Sequence, residues 1–348
     1  MPKLDELIRE LCPDEVESVP LWSVTIWDKR FSSVDRKKQP KIINYSYLLA
    51  SDLFALQVDG GDVFLLSTGE QTGWTTKELA GENLREGEVV TIPWGKSRPI
   101  TDCIKYYKGK FVTADNRIMT SNDTKKLSNK YLYYWIMSQG RVIDTFYRGT
   151  GIKHPDMAKV LDMLIQIPPL EIQREIVRIL DNFTNLTAEL TARNKQYAYY
   201  RDELLRYKMP TKEYEVGEIC EVSAGGDAPK EHFSKEKSEQ YKVPIISNGC
   251  GINALYGYTD VARVDKPAVT VAARGTIGYA EYRDYPYFPI IRLITLIPRD
   301  DKQLNAKYLY YSLEGRHYKV PTSGIPQLTV PVIKKKYLFH PSMSRIAL

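Results

Sequence analysis

The sequence predicts an α+β protein in which two β-rich domains with small helices are joined by a long coiled-coil-type spacer helix. Three observations carry this. The stretch 167–210, IPPLEIQREIVRILDNFTNLTAELTARNKQYAYYRDELLRYKMP, has a largely apolar seam in unbroken steps of three and four. The segments on either side are short, rich in Val, Ile, Tyr and Trp, and cut by glycine-bearing loops. Those two segments also repeat one another, as a duplication would. The expected boundaries are 1–165 for the first domain, 166–209 for the helix and 210–348 for the second domain.

The helix is justified residue by residue. Pro168 and Pro169 suit a helix start, where no amide donor is needed, and Pro210 disfavours helix in the residue before it. Between them Ile176, Ile179, Phe183, Leu186, Leu190, Arg193, Tyr197, Tyr200 and Leu204 form a heptad seam, apolar everywhere except at Arg193. Roughly 40 residues at about 1.5 Å each make a rod of about 60 Å. A single helix of that length lays its seam on another helix or stays marginal.

The two domains follow in order. Residues 1–12 read as a short amphipathic helix ended by Pro13. From Val19 to about Ile118 the pattern is β-like, with VFLLS at 63–67 and VVTIPW at 89–94. LSNKYLYYWIMSQ at 127–139 reads as a helix, followed by the loop Gly149-Thr150-Gly151. After Pro210 the same order returns: mixed β from Val216 to about Ile297, a helix at 304–316 and a loop at Ser323-Gly324-Ile325. LSNKYLYY at 127–134 matches LNAKYLYY at 304–311, an offset of 177. Upstream the offset is 180, pairing Ser67, Gly69, Val89 and Gly95 with Ser247, Gly249, Val269 and Gly275. Downstream it is 173, pairing Gly151-Ile152 with Gly324-Ile325, and then 172, where IPPLEIQREI faces FHPSMSRIAL. Such drift is what loop insertions and deletions do to a duplication. Asp5-Glu6-Leu7, Arg9 and Pro13 also match Asp202-Glu203-Leu204, Arg206 and Pro210, so the N-terminus copies the end of the rod.

Bulk properties bound the partners. Net charge is +6, which alone does not predict nucleic-acid binding, although basic residues cluster locally. Cys12, Cys103, Cys220 and Cys250 are scattered with no CxxC pair. That argues against a disulfide framework or zinc site and suits a reducing cytosol. No run approaches a membrane span, and the acidic amphipathic N-terminus lacks the apolar core of a secretory signal, so a cytoplasmic protein is expected.

With its heptad rod opening IPPLEIQREIVRILD, the YRDELL exit and two β-rich domains each with a K-Y-L-Y-Y helix, the chain resembles the specificity (S) subunit of type I restriction–modification systems. ISNGCG at 246–251 and AARGTIGY at 272–279 are similar to recurring turns of that family. The resemblance covers almost the whole chain. It implies two target recognition domains, each reading half of a split double-stranded DNA target, and two antiparallel helices that set the gap. It implies methyltransferase (M) subunits that hold S-adenosylmethionine and methylate adenine N6. It also implies restriction (R) subunits that use ATP and magnesium to cleave, while the S chain itself holds no cofactor and does no chemistry. A full S subunit has a second long helix after the second domain. Here SMSRIAL stands where LEIQREI opens the first rod, so the expectation is a chain truncated before that helix. The unpartnered seam is then expected to pair with a second copy or with M-subunit helices, residues 3–11 covering one end.

Phosphate contacts call for Lys and Arg, and guanine edges for Arg or Lys. The candidates are Arg36, Lys37 and Lys38; Lys96 and Arg98 beside Gly95; Lys153 after Gly151; Arg274 before Gly275; and Lys319. The tyrosines of the two helices and of the seam are expected to pack rather than stack on bases. Catalytic signatures are lacking. His154, His232, His317 and His340 have no metal-like spacing, and there is neither an adenine methyltransferase N-P-P-Y motif nor a phosphate-binding G-x-x-x-x-G-K-[ST] loop. The expected function is DNA recognition within an enzymatic complex. The alternative is an inactive or decoy form that binds partners through its rod without directing modification.

Overall fold

Leu170–Leu204 form one helix of 35 residues. The computed structural model describes residues 2–12, 16–69, 73–96, 98–114, 117–205, 211–320 and 325–341. Pro13, Arg206, Pro210, Ser323-Gly324 and the 342–348 segment compared above with the rod opening lie outside them. The rod starts just after the proline pair. The carbonyl of Pro169 accepts from the amides of Ile172 and Gln173 at 3.0 and 3.1 Å, so Pro169 is the residue before the first helical turn. The chain divides into two compact units, Met1–Leu190 and Thr191–Leu348.

The first unit is built on a six-stranded sheet. Its spatial order is Thr25–Trp27, Ile118–Ser121, Arg85–Thr91, Lys105–Thr113, Val63–Leu66 and Trp74–Thr75. All neighbours are antiparallel except Val63–Leu66 beside Lys105–Thr113. Ser18–Pro20 and Leu164–Gln166 pair antiparallel and close the domain, its first strand against its last. In the second unit Cys220–Ala224, Ile294–Pro298, Ala268–Val271 and Ala280–Arg283 make an antiparallel four-stranded sheet. Leu255–Thr259, Val243–Ile246 and Phe288–Pro289 make a smaller one. Here too the first strand, Thr211–Glu215, pairs with the last, Tyr337–Pro341.

The duplication is visible in packing. Leu132, Ile136, Val160 and Ile165 are fully buried in the first core, and Leu309, Leu313, Ile333 and Leu338, at offsets of 177 and 173, are buried in the second. Burying each such side chain is worth about 1.5–3 kcal/mol, so the same positions drive both folds. Caps repeat as well. Ser128 accepts from Tyr131 N to start the helix Asn129–Ser138, and Asn305 accepts from Lys307 N and Tyr308 N to start Ala306–Leu313. Asp156 and Thr329 stand before the equivalent short helices Met157–Leu161 and Val330–Lys334.

The rod is anchored at its start. Gln173 is fully buried, accepts from Ser128 N at 2.9 Å and donates to the carbonyls of Lys126 and Pro168 at 2.7 and 2.8 Å. Glu175 pairs with Arg178 at 2.6 Å and with Lys3 of the N-terminal helix Pro2–Leu11 at 3.4 Å. Ile176 packs on the first domain's core and Ile179 is half-buried. Beyond them Phe183, Leu186, Leu190, Tyr197, Tyr200 and Leu204 are 45–76 % exposed. The seam tyrosines thus differ from the expectation that they pack: Tyr197 and Tyr200 stay about half exposed, Tyr197 reaching the carboxylate of Glu314 at the end of the helix Ala306–Leu313.

Candidate nucleic-acid interface

Loops from three parts of each domain converge. In the first unit the turn after Arg85–Thr91 meets the loop before Met157–Leu161: Lys96 N donates to Lys153 O at 3.1 Å and Lys153 N to Lys96 O at 3.3 Å. The turn at 67–69 joins them through Arg98 Nη2, which donates to Thr68 O at 3.1 Å, and Lys105 Nζ, which donates to Gly69 O at 2.6 Å. In the second unit the same three segments meet. Leu328 N donates to Ala273 O at 2.9 Å, Ala273 N to Asn248 Oδ1 at 2.7 Å, and the Thr276 hydroxyl to Asn248 O at 2.9 Å. Gly275, at φ +69°, turns this loop where a Cβ would meet only open space, so its role is conformational.

The convergence juxtaposes one pair of equivalent positions in each domain. In the first, the Trp94 and His154 rings pack with centroids 4.1 Å apart and planes tilted by 56°, and His154 Nδ1 lies 3.0 Å from Trp94 O. At offsets of 180 and 173 these become Arg274 and Gln327. Arg274 Nε and Nη2 donate to Gln327 Oε1 at 3.0 and 2.7 Å. Trp94, Ile152 and Lys153 are exposed on the first cluster, and Ile325 and Arg292 on the second. Ile291 and Arg292 both hold left-handed backbone, at φ 52° and 61°, a conformation that costs about 1–3 kcal/mol per non-glycine residue. It is held by Ile291 N and Arg292 N donating to Gly226 O and Gly225 O, each at 2.8 Å.

The basic candidates fall into distinct settings. Lys153 is exposed on the first cluster, and Arg98 sits in it, its Nε 3.1 Å from Cys103 Sγ. Lys96 points inward, its ammonium on Asp144 and 5.2 Å from the Tyr147 ring centre. Arg274 belongs to the second cluster and Lys319 is exposed. Arg36 and Lys37 are exposed on a 3-10 turn of the loop that follows Thr25–Trp27, whereas Lys38 bonds Asp162 at 2.5 and 2.7 Å. That loop is stapled by buried Gln39, which accepts from Phe31 N and donates to Lys29 O. Its root is Asp28, whose carboxyl is 1 % exposed and pushed up to about 7 by burial, against smaller opposing effects of nearby amides, Lys29 and Arg117. Sequence reasoning missed Trp94, His154, Gln327 and Arg292. The offsets of 180 and 173 point to the first three, while only the left-handed turn brings in Arg292. Among the described residues no group of three or more His, Cys, Asp or Glu side chains is arranged to hold a metal ion, and no helix is long and apolar enough to cross a membrane.

Two related domains, each carrying a convergent loop cluster with basic side chains, define a protein built from two copies of one design. Residues 59–197 and 210–345 match the family described as type I restriction modification DNA specificity domain. The chain belongs to that family, and its role is DNA recognition in restriction–modification. A putative type I specificity subunit of Mycoplasma pneumoniae, S.MpnORF89P, is 35 % identical over 280 residues, spanning 75 % of this chain and 82 % of the relative. A second, S.MpnORF507P, is 29 % identical over 305 residues, spanning 84 % and 77 %. The crystal structure of a type I restriction–modification S subunit from M. genitalium shares the fold, with a TM-score of 0.61 at 16 % identity, covering 94 % of this chain and 85 % of that one.

Proposed function

We propose that this chain reads a bipartite double-stranded DNA target, one half-site per domain, and positions methyltransferase (M) and restriction (R) subunits for adenine N6 methylation or cleavage. The observation that carries this is the repeated loop cluster with different side chains at equivalent positions, Trp94 and His154 against Arg274 and Gln327. One scaffold with two chemistries suits an asymmetric split target. Lys153, Arg36, Lys37 and Lys319 supply phosphate contacts, which fix register without reading sequence. The chain acts in the cytoplasm as a non-catalytic subunit. S-adenosylmethionine belongs to M, and ATP with magnesium to R.

The exposed seam from Phe183 to Leu204 favours a second association, with M-subunit helices or a second copy of the chain. If the rod alone were used, the chain would be a decoy that binds partners and directs no modification. The experiment is sequence-resolved adenine methylation in a host expressing the chain with its cognate M subunit. One bipartite motif supports recognition. M-subunit binding without methylation turns the reading to the decoy.

A further inference from the structure

The second loop cluster gathers two guanidinium groups on one neutral oxygen. Gln327 Oε1 accepts from Arg274 and also from Arg292 Nη1 at 3.1 Å. Among the described residues neither arginine forms an ion pair with a carboxylate, so two like charges converge with nothing to neutralise them. Like charges gathered without a counter-charge suit an electron-rich ligand. Arg292 is placed there by the left-handed turn at 291–292, a conformation uncommon in non-glycine residues. Asn248 buttresses the turn, its Nδ2 donating to Ile291 O at 2.5 Å while its Oδ1 takes Ala273 N. One side chain thus ties both arginine-bearing loops together.

We propose that Arg274, held by Gln327 and flanked by Arg292, is the guanine-reading side chain of the second domain. Gln327 occupies the Nε–Nη2 edge of Arg274, which fixes the plane of the guanidinium; among the described residues nothing bonds the Nη1–Nη2 end. That end matches the O6 and N7 acceptors of guanine in the major groove. Arg292, exposed beside it, takes the adjoining phosphate. The first domain carries Trp94 and His154 at the equivalent positions, so it makes no such contact there and reads a different base. This rests on the DNA-recognition reading above and deepens it.

The test compares the full chain with Arg274→Gln, Arg274→Lys and Arg292→Ala variants, each expressed with the M subunit and scored by sequence-resolved methylation. Thermal melting confirms that each variant is folded. The wild-type motif should contain a guanine in one half-site. Arg274→Gln should cut discrimination at that base pair by about ten- to a hundred-fold and leave the other half-site untouched. Arg274→Lys, which keeps the charge but not the fork, should relax the same position less. Arg292→Ala should lower occupancy on all sites alike and reduce the salt dependence of binding by about one phosphate contact, with the motif unchanged. A wild-type motif whose base identities survive Arg274→Gln intact overturns this assignment while leaving recognition standing. So does loss of specificity in both half-sites together. A wild-type chain that directs no motif at all overturns both.

Discussion

The Tyr197 hydroxyl on the rod donates to Glu314 Oε2, and the same carboxylate takes the Tyr310 hydroxyl on its other oxygen. Arg201, one turn further along, approaches Glu314 at 3.6 Å. One carboxylate thus clamps the end of the rod to the Tyr-rich helix of the second domain. The first domain uses the same device with the acid on the other partner: Tyr134 of Asn129–Ser138 donates to Asp181 of the rod at 2.5 Å, and Lys130 lies 3.2 Å from it. Burial and the neighbouring carboxylates push the phenols of Tyr134 and Tyr197 up to about 12.

Glu314→Ala should therefore loosen the rod end without unfolding the second domain. The expected cost is about 1 kcal/mol, since the lost bonds are partly exposed to water. Hydrogen exchange should rise at 191–204 and stay unchanged at 170–182. Equal change in both segments would contradict a local clamp.

Gln173→Ala should be far more damaging. Three hydrogen bonds to a fully buried amide tie the rod to the backbone at 126, 128 and 168. Removing the amide strands buried backbone groups and should cost about 2–4 kcal/mol in the first unit. Urea denaturation followed by Trp27 and Trp135 fluorescence measures it.

The buried carboxyl of Asp28 predicts a pH dependence. Its pKa rises from about 4 to about 7 on folding, so the folded state resists ionisation. The stability of the first domain should be full below about pH 4, fall as pH rises towards 7, and then level off. Asp28→Asn should flatten that profile. Melting temperatures between pH 4.5 and 8 decide it, and an unchanged slope in the variant would place the dependence elsewhere.

Leu186→Lys with Leu190→Lys should leave the melting temperature within a degree or two, because both side chains face water within this chain and surface changes are usually worth within about 0.5 kcal/mol. The same double change should weaken association through the seam at least ten-fold, whether the partner is a second copy or the M subunit. Sedimentation of the chain alone and with M measures this.

The rod, the duplication and the two β-rich domains are legible in the amino-acid pattern alone. Heptad spacing, caps and buried apolar positions are local or periodic signals, and the buried positions recur at an offset of 177 in Leu132 and Leu309 and of 173 in Val160 and Ile333. The pattern also brought Arg98, Lys153 and Arg274 forward from their neighbouring glycines. Which charges are spent within the chain and which are offered outward depends on the folded arrangement. Lys96 and Lys38 look like Lys153 in sequence, yet Asp144 and Asp162, 48 and 124 residues away, claim them. Gln327 and Arg292 meet Arg274 through loop convergence and a left-handed turn, which no periodicity announces. Pairing between residues distant in the chain depends on how sheets and loops close. The chemistry of the interface therefore lay in the fold, while its scaffold lay in the pattern.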